Sequence, residues 1–266
     1  MEYKTIILAR EAETGIATIT LNRTEKLNAF SPLVSREFSD AVWQVYNDND
    51  VRVLVVNGAG RAFCAGGDIR EDLSHSAASA MTWKYDHDWR FINTVPVMLR
   101  YMAPPSIASV HGHCIGIGTT LPLACDFIVA ADTARFSLGF IRVGITPEFG
   151  STYNLPRLVG MRRAMELSLT GRTFDAEEAL RIGVVNKVVP EAQLKDATRE
   201  FALSLAQGPS IAIEMTKRAL YNAWDGDIHA ALQFEAFAQE TAHRTEDGAE
   251  GPRAFVEKRK PKFKGK

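Results

Sequence analysis

Apolar and polar positions along this chain repeat with two different periods. Ile16-Ala17-Thr18-Ile19-Thr20-Leu21 alternates every second residue, which predicts a half-buried strand. Ser31-Pro32 reads as an N-cap followed by a first helical residue. Behind it Val34, Phe38, Ala41, Val42 and Val45 return on one helical face. Val53-Leu54-Val55-Val56 is a β-branched run ending at Asn57-Gly58, the pattern of a buried strand followed by a turn. Met81, Tyr85, Trp89 and Ile92 mark a further helical stripe, within a helix expected over 74–99. Residues 107–110 and 127–130 predict two more buried strands. Asp175-Ala176-Glu177-Glu178 has the form of a capping box and opens a helix that Gly183 closes. Val184-Val185 and Val188-Val189 predict a last strand pair. Beyond about residue 190 the pattern is helical only: Pro209 starts one helix, and Ile228, Leu232, Phe234 and Phe237 lie on another over 227–245.

Strand–helix alternation followed by a helical end predicts an α/β core over 1–195 and a helical region over 196–266. The composition changes that picture only by exclusion. With 266 residues, 46% hydrophobic and 24% charged, the chain is an ordinary globular protein. A formal charge of −1, from 31 basic and 32 acidic residues, gives no nucleic-acid footprint. His113 and Asp126 cut the apolar stretches well short of the ~20 residues that span a bilayer. Met1-Glu2-Tyr3-Lys4 lacks a signal-peptide pattern. Cys64, Cys114 and Cys125 are odd in number and far apart, which argues against a disulfide framework or a zinc ribbon. The expectation is a cytoplasmic protein, without a membrane or nucleic-acid partner and without a metal.

Two segments offer backbone rather than side chains. In Arg61-Ala62-Phe63-Cys64-Ala65-Gly66-Gly67-Asp68-Ile69, small residues follow a strand and bring main-chain N–H groups to an open surface. In His111-Gly112-His113-Cys114-Ile115-Gly116-Ile117-Gly118, a turn leads into an apolar helix over 119–124, whose first N–H groups have no intrahelical partner. Facing each other, such turns would make a two-donor oxyanion hole; on spacing alone, the glycines read as residues that permit tight turns. The spacing Gly116-x-Gly118 lacks the third glycine and the downstream acid of a dinucleotide site. His111-x-His113 has metal-ligand spacing but no accompanying ligand cluster. Asp68 reads as a helix cap, Asp126 as a backbone partner, the Asp86-His87-Asp88 cluster as solvated surface, and Cys64 as a thiol without a base.

Ile19-Thr20-Leu21-Asn22-Arg23-Thr24-Glu25-Lys26-Leu27-Asn28-Ala29 resembles the opening signature of the crotonase (enoyl-CoA hydratase/isomerase) superfamily. So do Ala62-Phe63-Cys64-Ala65-Gly66-Gly67-Asp68-Ile69, Leu123-Ala124-Cys125-Asp126, Leu169-Thr170-Gly171-Arg172 and the stretch from Ala179 to Val185. The match runs nearly end to end, to Glu257-Lys258-Arg259-Lys260-Pro261. The resemblance implies a crotonase-like spiral of ββα units, a C-terminal helical trimerisation region, and a homotrimer or dimer of trimers. It implies an acyl-CoA thioester substrate, with coenzyme A part of that substrate and no separate cofactor. Carried onto this chain, the oxyanion donors are the N–H groups of Gly67 and Ile117. Ala62, Ala65, Asp68, Ile69, His113 and Phe140 fall at substrate-binding positions, with Lys258 and Lys264 assigned to the CoA phosphates.

The fold hosts many reactions, so chemistry must be read from the acid/base positions. Where hydratases carry two glutamates, this chain has Thr120 and Phe140, and neither side chain can act as a carboxylate. Pro147-Glu148-Phe149-Gly150-Ser151 resembles instead the branch of enoyl-CoA isomerases that uses a single carboxylate as base and acid. Burial beside Phe140 and Phe149 would favour the neutral form of Glu148 and suit it to reversible proton transfer. The plainer role for Glu148 is to complement the dipole of a helix start. The alternatives are a hydratase, thioester hydrolase or decarboxylase with another base, or a catalytically silent acyl-CoA-binding protein.

Overall fold

A computed structural model of the chain describes residues 2–69 and 87–266, with the main chain alone over 87–91. Met81, Tyr85, Asp86 and the expected start of a helix near 74 lie outside the described residues. The architecture is a mixed α/β fold with helices at the C-terminal end.

Its larger sheet holds six strands: β1 (Ile6–Glu11), β2 (Ile16–Leu21), β3 (Val53–Gly58), β4 (Ser106–Val110), β6 (Phe127–Ala131) and β9 (Lys187–Val189), side by side in that order. β1 and β2 form an antiparallel pair; the other neighbours run parallel. A smaller sheet joins β5 (His113–Ile115), β7 (Arg135–Ser137) and β8 (Thr173–Asp175). The parallel strands read as continuous apolar runs because both faces are covered. Leu54 and Val56 enter one core cluster with α1 (Pro32–Tyr46) and α2 (His87–Tyr101), whereas Val53 and Val55 enter a second on the opposite face. That second face is closed by α7 (Leu194–Ala206) through Leu194, Ala197, Ala202 and Ala206. The expected division after residue 195 thus falls inside a helix that packs on the sheet.

Between the strands run α3 (Ile117–Ala124), α4 (Ser151–Val159), α5 (Met161–Thr170) and α6 (Ala176–Arg181). α8 (Ser210–Asp225), α9 (Ile228–His243) and α10 (Glu246–Val256) complete the chain. The caps are those the sequence implies: Ser31 accepts from Val34 N–H at 3.4 Å, and Asp175 from Glu178 N–H at 2.8 Å.

Two expectations are corrected. Asn57-Gly58 does not turn but continues β3. Gly58 is required there by crowding, since a Cβ would lie 2.5 Å from the Phe63 carbonyl oxygen. Val184-Val185 is not a strand; both N–H groups fold back onto the Ala179 carbonyl, at 2.9 and 3.2 Å, to close α6, and both side chains enter the core.

Candidate active site

The two glycine-rich turns leave the same end of the larger sheet, one after β3 and the other after β4. Main-chain bonds then lay them side by side. Phe63 N–H donates to His111 O at 2.9 Å, Cys64 N–H to His113 O at 3.0 Å, and Ile115 N–H to Cys64 O at 3.0 Å. Cys64 and Cys114 form a parallel bridge at the centre of this contact. Close approach depends on absent Cβ atoms. One at Gly118 would fall 2.2 Å from Cys64 O, and one at Gly112 2.3 Å from Arg61 O. Gly66 and Gly116 meet at the mouth of the pair, where a Cβ on Gly116 would lie 3.7 Å from Gly66 Cα.

The first turn is braced from behind. Phe30 N–H donates to Gly66 O at 2.8 Å and Asp68 N–H to Phe30 O at 2.7 Å, so the N–H of the intervening Gly67 points away from Phe30. Among the described residues nothing accepts from it. Asp68 is held by Arg23 at 3.1 Å and is buried, so its carboxylate serves the turn. Asn28, at φ 57, holds the preceding loop through 2.8 Å bonds from its side-chain amide to the carbonyls of Ala59 and Ala62. Asn visits the left-handed region at little cost because its side chain bonds locally.

The helix α3 begins at Ile117, two residues earlier than expected, and the second candidate donor, the Ile117 N–H, lies at its start. Thr119 and Thr120 N–H groups return to Gly116 O at 2.8 and 3.0 Å, and Ile117 N–H has no acceptor among the described residues. Two unpaired amides, Gly67 and Ile117, therefore flank the Gly66–Gly116 contact. Preorganised donors of this kind suit an oxygen that gains charge during reaction.

The structure does not unite every predicted residue here. Ala65 is half-buried and Ile69 half-exposed beside Gly67, whereas Ala62 is buried beneath the turn. The ring of Phe140 packs against Gly116, 3.7 Å from its missing Cβ. His113 faces solvent opposite Arg135 and contributes its carbonyl. His111 Nε2 lies 2.8 Å from Gly60 O. Lys264 lies elsewhere in this chain: Asp247 accepts its N–H at 2.7 Å, and Arg52 donates to its carbonyl at 2.5 Å. Arg52 precedes β3 while Gly67 follows it, and a six-residue strand of ~3.3 Å per residue separates the two ends. Lys258 is exposed just past α10.

Glu148 sits half-buried on the segment between Phe140 and α4. Its carbonyl accepts from Ser151 N–H at 3.1 Å and Ser151 Oγ at 2.7 Å. The next residue, Phe149, is buried with φ 58, a strained conformation for a bulky side chain. α4 is anchored in turn to the far end of α3, where Asn154 Nδ2 donates to Leu123 O at 3.2 Å. Thr120 is fully buried, and its Oγ1 has no hydrogen-bond partner. Desolvation pushes the buried Cys64 thiol up to about 12, against the lowering effect of the Gly66 and Phe30 N–H groups, so it is no nucleophile.

Residues 11–266 match the family model for enoyl-CoA hydratase/isomerase. The chain belongs to the enoyl-CoA hydratase/isomerase family. It is 37% identical over 263 residues, 99% of each chain, to the "Probable enoyl-CoA hydratase echA8" of Mycobacterium tuberculosis. It is also 35% identical over 254 residues, 96% of this chain and 97% of the other, to the 1,2-epoxyphenylacetyl-CoA isomerase of Escherichia coli. The solved enoyl-CoA hydratase of Bacillus anthracis superposes with a TM-score of 0.90 at 36% identity, covering 99% of this chain and all of that one. The fold is that of the crotonase superfamily, and the protein is an enzyme of this family. No helix among the described residues is long and apolar enough to cross a membrane.

Proposed function

We propose that the enzyme moves the double bond of an enoyl-CoA thioester from the 3 to the 2 position through a thioester enolate. The observation that carries this reading is the acid/base inventory around the paired turns. Thr120 and Phe140 offer no carboxylate, and from Thr133 to Gly150 the sole acid is Glu148. One carboxylate suffices for a bond shift, because no water has to be activated. Glu148 takes a proton from C2, the charge passes to the thioester oxygen, and the same carboxyl returns the proton at C4. The N–H groups of Gly67 and Ile117 receive the oxyanion, an interaction typically worth ~3–4 kcal/mol per donor. The strained Phe149 beside Glu148 supports a functional role for that corner.

The test is a paired assay with a 3-enoyl-CoA and a 2-enoyl-CoA, following migration and hydration separately. Migration without hydration, lost by roughly 100-fold or more in Glu148→Gln, is the expected result. Intact migration in Glu148→Gln removes the assignment. Hydration without migration supports the hydratase reading that the mycobacterial relative's name favours, and binding without turnover supports a silent acyl-CoA-binding protein.

The same proposal includes assembly as a homotrimer or dimer of trimers in the cytoplasm. Leu220, Ile228, Leu232 and Phe237 are exposed along α8 and α9, an apolar surface that a second copy would cover. Lys258 or Lys264 of the tail then reaches a neighbouring subunit's CoA phosphates, and Lys258→Ala and Lys264→Ala should weaken CoA binding.

A further inference from the structure

We propose that Thr119 is a positioning residue whose hydroxyl fixes the turn presenting the Ile117 amide; the inference rests on that amide being an oxyanion donor. Thr119 and Ser137 are both 1% exposed. The Thr119 hydroxyl donates to Cys114 O, and it accepts the Ser137 N–H at 3.2 Å. Ser137 O lies 3.1 Å from the same hydroxyl and accepts Gly116 N–H at 2.9 Å. Ser137 is itself tied by its Oγ to Gly171 O at 2.7 Å.

This differs from the usual behaviour of a helical threonine, which bonds a carbonyl one turn back in its own helix. Thr119 instead reaches across the preceding turn to Cys114 and sideways to β7. The turn is thus clamped at Cys114, at Gly116 and at Thr119, and Ile117 lies inside the clamp with its own N–H unspent. Removing the hydroxyl leaves Ser137 N–H and Cys114 O buried without that partner, so the turn must move to satisfy them. Donor geometry at an oxyanion site tolerates little movement: a misplacement of about 1 Å costs on the order of 100-fold in rate.

The experiment compares Thr119→Val, Thr119→Cys and Thr119→Ser with the parent protein. Thr198→Val is the control, since it removes another buried hydroxyl, one that among the described residues meets only Ser109, at 2.9 Å, on the far side of the sheet. Two quantities are read: kcat and KM for double-bond migration, and the near-ultraviolet absorbance of enolate formed by bound acetoacetyl-CoA. In the second, acetoacetyl-CoA yields its acidic C2 proton to solvent at equilibrium, so the signal requires no turnover and reports how well the site holds the enolate oxygen. The expected result is a kcat reduced roughly ten- to 100-fold in Thr119→Val, with KM changed less than about twofold and the enolate signal diminished. Thr119→Cys falls between, Thr119→Ser is restored, and Thr198→Val matches the parent. If Thr119→Val does not fold, the order of Cys below Ser decides. Equal kcat and equal enolate signal in every folded Thr119 variant overturn the inference while leaving the proposed reaction standing. A parent protein that forms no enolate overturns the oxyanion reading and this inference with it.

Discussion

Gly118→Ala isolates the contact that brings the two amides together. The added Cβ would stand 2.2 Å from Cys64 O, 2.9 Å from Cys64 C and 3.0 Å from Cys64 Cβ. A carbon–oxygen contact relaxes to about 3.3 Å, so the start of α3 must retreat from the first turn by about 1 Å. The atoms in the way are backbone, braced by the Cys64–His113 and Ile115–Cys64 bonds, and no rotamer change relieves them. Overpacking costs ~1–3 kcal/mol, and better helix propensity returns about 1 kcal/mol of that. The variant should therefore fold, with stability reduced by no more than about 2 kcal/mol. Catalysis should suffer more, by roughly 100-fold, because the retreat displaces the Ile117 amide relative to Gly67. Urea unfolding gives the first quantity and kcat for 3-enoyl-CoA migration the second. A folded variant within about threefold of the parental kcat would refute the claim that the spacing of the two turns sets the rate.

Two predictions concern stability. Lys217 is 8% exposed and spends its ammonium on Asp126 at 2.8 Å, Leu99 O at 2.8 Å and Pro104 O at 3.2 Å. Lys217→Met should cost about 3–5 kcal/mol in urea unfolding, and adding Asp126→Asn should cost less than the sum of the two single changes. Glu37 accepts from Lys4 N–H, Thr5 N–H and Thr5 Oγ1 at 2.6 to 3.1 Å. Burial raises its pKa, but these hydrogen bonds outweigh that and hold it below the usual value of 4.5. Its contribution is thus present above pH ~4.5 and fades as pH falls through the lower folded value, so the stability gap between parent and Glu37→Gln should narrow below that pH.

How much was legible in the sequence depended on whether the deciding contact was local. β3, β4 and β6 were readable because burial on both faces leaves largely apolar runs, and β2 because its residues alternate. β5, β7 and β8 are three residues each, too short for any period to show, yet they carry the second turn and its Ser137 brace. Gly67 and Ile117 were reachable through the resemblance, and the glycines through their clustering. Thr119 was not, because its partner Ser137 lies 18 residues away and a threonine in an apolar helix has no distinguishing pattern. Lys217 was hidden in the same way: a lysine on α8 carries no distinguishing pattern, and only the fold brings Asp126 beside it.

The comparison of Thr119 with Thr120 makes the physical point. The two residues are adjacent, identical in type and equally buried, but one hydroxyl is fully engaged and the other has no partner. An unpartnered buried hydroxyl costs on the order of 1–3 kcal/mol. Stability therefore gives no reason to prefer threonine at 120 over valine. The position is the one at which hydratase-like relatives would carry a carboxylate, and here that group is absent while the paired turns beside it are intact. Loss of the fold's function would relax both features together, because Gly118 serves the close approach of the turns and Gly116, at φ 56, the backbone path of the second turn. Under the proposed bond shift, intact donors with Glu148 as the acid are the pattern expected when the enolate is kept and the water is given up.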